Sequence, residues 1–202
     1  AHAVAPWLVT WDDHEVSNNY VSDTPDPESE SPDSAALLER RAAAYRAWWE
    51  NQAVRLDPPD GPDLEIYRRF AIGDLATIHV LDTRQHRTPL GCDVAAGISA
   101  GARCATSTAE ATTTLGAEQE AWLDEGLAAE TGWHVLAQQI VMHQWRFTQG
   151  EDAVWNLDQW DGYPTARARL FDSLKGAGGA PVVLTGDVHT SWAAELLEDF
   201  DD

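Results

Sequence analysis

The sequence predicts an α/β fold in which helices cover a central sheet and the strands deliver functional side chains at their C-terminal ends. Short apolar runs alternate with helix-periodic stretches, and three of the runs end in polar clusters. A length of 202 residues with no repeat at a fixed period favours one compact domain over a solenoid or propeller.

The first run, Ala5 to Trp11, reads A-P-W-L-V-T-W and stops at Asp12-Asp13-His14-Glu15, as a buried strand carrying chemistry at its tip would. Residues 22–33 are rich in Ser, Pro, Asp and Glu and predict an exposed loop. Ser31 then offers an N-cap and Pro32 the first helical position. Leu38, Ala42, Tyr45, Trp48 and Trp49 recur at helical spacing, so a helix is expected from Pro32 to Gln52. Residues 66–72 and 75–82 are β-rich and flank Gly73-Asp74, a turn pair that predicts a hairpin. Residues 86–114 carry no clear period and predict a long loop. Trp122, Leu123 and Leu127 share one face of a helix expected over Gly116 to Glu130. A strand at 133–142, a helix from Thr165 to Leu174 and a buried strand at 181–185, ending at Gly186-Asp187, complete the pattern.

Composition narrows the function. Thirteen Lys and Arg face 34 Asp and Glu, a net charge of -21, which repels a phosphate backbone, so nucleic acid is not an expected partner. The same acidity serves solubility, or supplies carboxylates for hard cations. No run of eighteen apolar residues occurs, so no transmembrane segment is expected. The chain begins at Ala1 rather than Met, without a basic and apolar leader, and reads as processed, trimmed or truncated. Cys92 and Cys104 lie in a Gly, Ala, Ser and Thr-rich stretch that suits a loop-stapling disulfide and hence an oxidising compartment. Two free thiols in a cytosolic loop are the other reading.

Three clusters carry candidate chemistry. Asp12-Asp13-His14-Glu15 crowds three acids and an imidazole, an arrangement that is costly unless a cation or strong hydrogen bonds compensate; a solvated acidic loop accounts for it equally. In T-G-D-V-H-T, Asp187 and His189 are two apart and would face one side of an extended segment. Here the plainer reading is a turn with Asp187 as a cap. The stretch 156–164, N-L-D-Q-W-D-G-Y-P, reads first as structural, with a pocket wall as the alternative. Arg84 and Arg87 offer planar donors for an anion, and a salt bridge with Asp82 competes for them. His143, after the third strand, reads as a structural histidine.

The order of these motifs adds information that none has alone. W-D-D-H-E-V-x-N-N, L-D-T-R-Q-x-R, L-G-x-E-Q-x-x-W-L, W-x-V-L-A-Q-Q, D-Q-W-D-G-Y-P-x-x-R and L-T-G-D-V-H-x-S-W together resemble the PhoD family of alkaline phosphatases, metallophosphoesterases akin to purple acid phosphatases. The resemblance runs from Trp7 to about Leu196. It implies metallophosphoesterase-like sheet layers flanked by helices and incomplete at the N-terminus, with residues 1–202 forming the C-terminal part of one catalytic domain.

It also implies metal-dependent hydrolysis of small phosphate esters with iron and calcium, in a secreted or cell-envelope enzyme. Asp13, Asp187 and His189 would hold metal, with Asp187 on the calcium side and His189 on the iron side. His14 would hydrogen-bond phosphate or protonate the leaving oxygen. Arg84, by the planar donors of its own guanidinium, is the candidate substrate-binding residue. Gln139 falls where related phosphatases place another metal-binding His. The family's upstream Asp, Tyr and Cys ligands have no counterpart in this sequence, since Gly73-Asp74 is a hairpin turn. The rival readings are a phospholipase D-like phosphodiesterase and a non-catalytic acidic calcium-binding fragment. Oligomeric state is not legible.

Overall fold

The structure is a computed structural model that describes residues 3–27, 31, 33–94, 99–129, 132–148, 150 and 153–199. In chain order the elements are α1 (Ser34–Asn51), β1 (Arg68–Ile72), β2 (Ala76–Val80), β3 (Ala100–Gly101), α2 (Ala117–Ala129), β4 (Trp133–Ala137), β5 (Trp155–Asn156), a 3₁₀ turn (Trp160–Gly162), α3 (Pro164–Gly176) and β6 (Pro181–Leu184). The expected α/β class holds, with a four-stranded sheet ordered β1-β2-β4-β6 and a two-stranded pair β3-β5.

The hairpin forms where Gly73-Asp74 places it: β1 and β2 pair antiparallel, and Gly73 turns the chain at φ 52°. The pairings β2–β4 and β4–β6 are parallel, which requires long crossovers; α2 lies in the first and α3 in the second. Both helices feed one core, in which Leu123 and Leu127 of α2 and Leu170, Phe171 and Leu174 of α3 pack with Leu81 and Leu136. Each fully buried side chain of this kind contributes about 1.5–3 kcal/mol. Gly126 sits inside α2 because the Arg69 guanidinium crosses there: an added Cβ would lie 2.0 Å from its Nη2. Arg69 donates to the Trp122 carbonyl at 2.6 Å and lies 4.4 Å from that residue's ring centroid.

The other face of the sheet is mostly apolar. Register aligns Phe70, Ile78, Val135 and Val182 in one row, and Val80, Ala137 and Leu184 in the next, where Arg68 takes the β1 edge. At the β6 end this face is open to solvent, with Val182 38% and Leu184 55% exposed. The expectation of a buried strand at 181–185 is thus corrected: β6 is an edge strand whose burial would need a neighbour beyond the described residues. The start of the Ala5 to Trp11 run is corrected likewise: the run is in no strand, and Trp7 and Leu8 are exposed, whereas Trp11 at its end is buried. Toward its end Arg68 donates to the Val9 carbonyl and Thr10 to the Leu81 carbonyl.

A second core holds the segment that follows. Trp11, Val16 and Tyr20 pack against Leu37, Tyr45 and Trp48 of α1. Trp11 stacks on Tyr45 at 3.9 Å, and the Tyr20 and Tyr45 hydroxyls are 2.7 Å apart. The helix starts two residues later than expected. Asp33, not Ser31, is its N-cap, with Oδ1 accepting from the Ala36 N–H at 2.9 Å; Pro32 lies outside the described residues. Among the described residues, no helix is long and apolar enough to cross a membrane.

Candidate metal centre

Four stretches distant in sequence meet at one end of the sheet: the turn after Trp11, the loop after β2, the residues after β5 and the loop after β6. The turn is one helical winding in which the Asp13 carbonyl accepts from the N–H groups of Val16 and Ser17, both at 2.8 Å. Its side chain is held in turn by the Asn19 N–H, 2.8 Å from Oδ2. After β6, the Gly186 N–H donates to the Gln139 carbonyl at 2.7 Å and steers Asp187 inward. The result is a group in which carboxylate oxygens of Asp12, Asp13 and Asp187 lie within 4.8 Å of one another. They line a cavity of about 520 Å³ together with His14, Glu15, Asn19, Asp158, Gln159 and His189.

Arg84 organises the carboxylates from beneath. Its Nε donates to Asp12 Oδ1 at 2.6 Å, Nη1 to both oxygens of Asp158 at 2.9 and 3.0 Å, and Nη2 to Asp187 Oδ1 at 3.1 Å. Asp158 also accepts from Arg87, and Asp187 from Gln159 Nε2. Burial pushes the Asp158 carboxyl up, but the two guanidiniums override it and hold the group below its ordinary value. Asp12 goes the other way. Its burial outweighs Arg84, and with Asp187 and Asp13 nearby its carboxyl rises to about 7. Asp187 is likewise raised, first by burial and then by Asp158.

The backbone around the cavity is strained. Asn19 (φ 48°), Ser99 (φ 48°), Asp187 (φ 69°) and His189 (φ 53°) all adopt the left-handed region that non-glycine residues rarely enter, and all four line the cavity. Such conformations cost roughly 1–3 kcal/mol each and persist where the surroundings fix them. Here Asn19 Nδ2 donates to Ser99 Oγ at 2.9 Å, and the Leu157 N–H donates to the Ser99 carbonyl at 2.9 Å. Ser99 belongs to the long loop, whose Ala100 and Gly101 pair with β5 and whose Cys92 and Cys104 form a disulfide.

Of the residues expected from sequence, Asp13 and Asp187 come together, and Asp12 joins them. His14 stands at the rim, with a 71% exposed side chain whose Nε2 is 3.9 Å from Asp13 Oδ2. His189 lines the cavity but lies outside the tight carboxylate group. Arg84 departs from expectation. It is fully buried, is absent from the cavity lining, and its donors are engaged by Asp12, Asp158 and Asp187, so it positions carboxylates instead of reaching a substrate. Nor does it pair with Asp82 through its side chain: Asp82 Oδ1 caps the loop by accepting the N–H groups of Arg84 and Gln85.

Gln139, expected near a ligand position, is a strut. Its Oε1 accepts from Thr83 Oγ1 at 2.8 Å, and its Nε2 donates to the carbonyls of Trp11 and Leu81 at 2.9 and 3.0 Å. Sequence reasoning passed over Asp158 and Gln159, which belong to the 156–164 stretch read as structural, and the Asn19–Ser99 pair. For Asn19 the signal was its place in W-D-D-H-E-V-S-N-N; for Ser99 there was none.

Three acids of all-oxygen donor chemistry, carrying more negative charge than one shared guanidinium neutralises, fit a hard cation. The chain is 44% identical over 204 residues to alkaline phosphatase D of Bacillus subtilis (strain 168), covering 100% of this chain and 34% of that protein. A solved structure described as "Structure of PhoD" superposes with a TM-score of 0.90 at 43% identity, covering 100% of this chain and 38% of that one. The chain therefore spans little more than a third of the length of the relatives it matches. A family profile described as PhoD-like phosphatase matches residues 1–202, so the chain belongs to the PhoD-like phosphatase family.

Proposed function

We propose that the protein carrying this chain hydrolyses small phosphate esters at a metal centre to which Asp13 and Asp187 contribute, with Asp12 beside them and His189 from the rim. The observation that supports this best is the convergence of Asp12, Asp13 and Asp187 from the two ends of the chain into one oxygen-donor group beside an open cavity. Bound cations there, iron and calcium by family resemblance, would neutralise phosphate oxygens and acidify a bound water. This chain's own groups do the rest. Arg84 holds Asp12 and Asp187 in fixed orientation, and the Asn19 N–H fixes Asp13. His14 stands exposed at the cavity rim, free to hand a proton to the departing ester oxygen. The disulfide supports a secreted or cell-envelope setting.

The test is made in the full-length protein. Asp187→Ala loses bound metal, read by elemental analysis, and turnover with it; His14→Ala keeps the metal and loses on the order of 10²-fold in kcat on an unactivated alkyl phosphate. Unchanged metal content in Asp187→Ala, or normal turnover in His14→Ala, overturns the corresponding role.

A further inference from the structure

The cavity has an aromatic side that metal chemistry does not use. Trp145 and Phe147 line it, their rings 5.3 Å apart, and Trp192 lies against Trp145 at 5.7 Å. The local backbone explains the arrangement. Arg146 forms a β-bridge with Trp155 and lies 5.4 Å from its ring centroid. Alternation along an extended segment then sends residues 145 and 147 to the opposite side from 146. The segment is fixed at both ends of the tripeptide: the Trp145 N–H donates to Asp161 Oδ2 at 2.7 Å and the Phe147 N–H to the Val154 carbonyl at 2.8 Å. Asp161 is itself buried and held by Arg103 and Arg167.

These rings are presented to solvent: Phe147 is 44% and Trp192 69% exposed. Leaving aromatic surface wet beside a polar cavity is unfavourable, and covering it with a flat ring returns area burial plus ring-ring attraction. Among the described residues the cavity lining contains no Lys or Arg, whereas Asp12, Asp13, Glu15, Asp158 and Asp187 all face or flank it. A substrate with several phosphates would meet carboxylates beyond the metal centre. One phosphate with an uncharged, flat substituent suits both sides.

Building on the hydrolase reading above, we propose that Trp145, Phe147 and Trp192 form a shelf for the alcohol portion of the substrate. It selects phosphomonoesters whose ester group carries an aromatic ring over those with a small aliphatic one. The comparison uses 2-phenylethyl phosphate and ethyl phosphate, both esters of primary alcohols, in the full-length protein as isolated. The aryl ester is expected to be favoured about tenfold in kcat/KM, the scale of one good ring contact. Phe147→Ala brings that ratio to about twofold, and Phe147→Tyr restores it.

A turnover-free arm measures 2-phenylethylphosphonate against ethylphosphonate by calorimetry, with the same ratios expected in Kd. Equal affinity for the two phosphonates in the unmodified protein overturns the shelf and shows that other protein covers the rings. A selectivity that survives Phe147→Ala overturns it too. Preference for the aryl phosphonate with no hydrolysis of either ester supports the shelf and overturns the hydrolase reading alone.

Discussion

A single guanidinium decides the geometry of the carboxylate group. Arg84 is wholly inside the protein, and burying one ion without its partners costs several kcal/mol. Removing Arg84 therefore leaves Asp158 with Arg87 alone and releases Asp12 and Asp187 from their anchor. Arg84→Met is expected to destabilise the fold by about 3–5 kcal/mol in urea denaturation. Arg84→Lys retains charge but, lacking the fork that meets three acids at once, recovers only part of the loss. Full stability in Arg84→Met would mean that the carboxylates are held by something else. Where Arg84 would go was not legible beforehand: a buried and a solvent-facing arginine look the same in L-D-T-R-Q-H-R, and only the meeting of residues from both chain ends supplies the acids it needs.

At the scale of elements, two devices have measurable consequences. The long loop reaches the cavity through Ser99, and the disulfide closes the span between Cys92 and Cys104, twelve positions apart. Loop-closure entropy for a span of that size is worth about 3 kcal/mol. Cys92→Ser together with Cys104→Ser is expected to lower stability by about that amount. Ser99→Ala removes the acceptor for Asn19 at a cost of about 1 kcal/mol and weakens the metal affinity of the site, read by chelator competition.

The second device lies in the sheet. His79 on β2 and His134 on β4 are both fully buried, with Nε2 of the first 3.2 Å from Nδ1 of the second, and Arg69 donating to His79 at 3.3 Å. Burial first, then the Arg69 charge and His134, depress the His79 imidazole from 6.5 to about 4. At pH 5 the unfolded chain therefore binds a proton that the folded chain excludes. Stability is complete above about 6.5 and falls as the pH drops toward 4, and His79→Gln flattens that slope in thermal melts. The hairpin, the three helices and the parallel strands were legible because their periods and turn residues act locally. The stretch Ala5 to Trp11 misled because an apolar run signals burial without naming the neighbour that must provide it.

Over the whole molecule, the order of motifs carried the family resemblance that the profile match over residues 1–202 shows, and the structure adds what order cannot: Asp12 as a member of the carboxylate group, Asp158 beneath it and the aromatic side of the cavity. The strong negative charge keeps copies of the chain apart at low ionic strength, within a Debye length that shrinks from about 30 Å at 0.01 M salt to about 3 Å at 1 M. Against that repulsion stands the row of Phe70, Ile78, Val135 and Val182 and the uncovered end of β6. These 202 residues expressed alone are expected to remain dispersed in dilute buffer and to associate as salt rises, with light scattering as the readout. Val182→Lys should abolish that association. A greasy flank beneath an anionic coat makes ionic strength the lever expected to switch the isolated polypeptide between dispersed and self-associated.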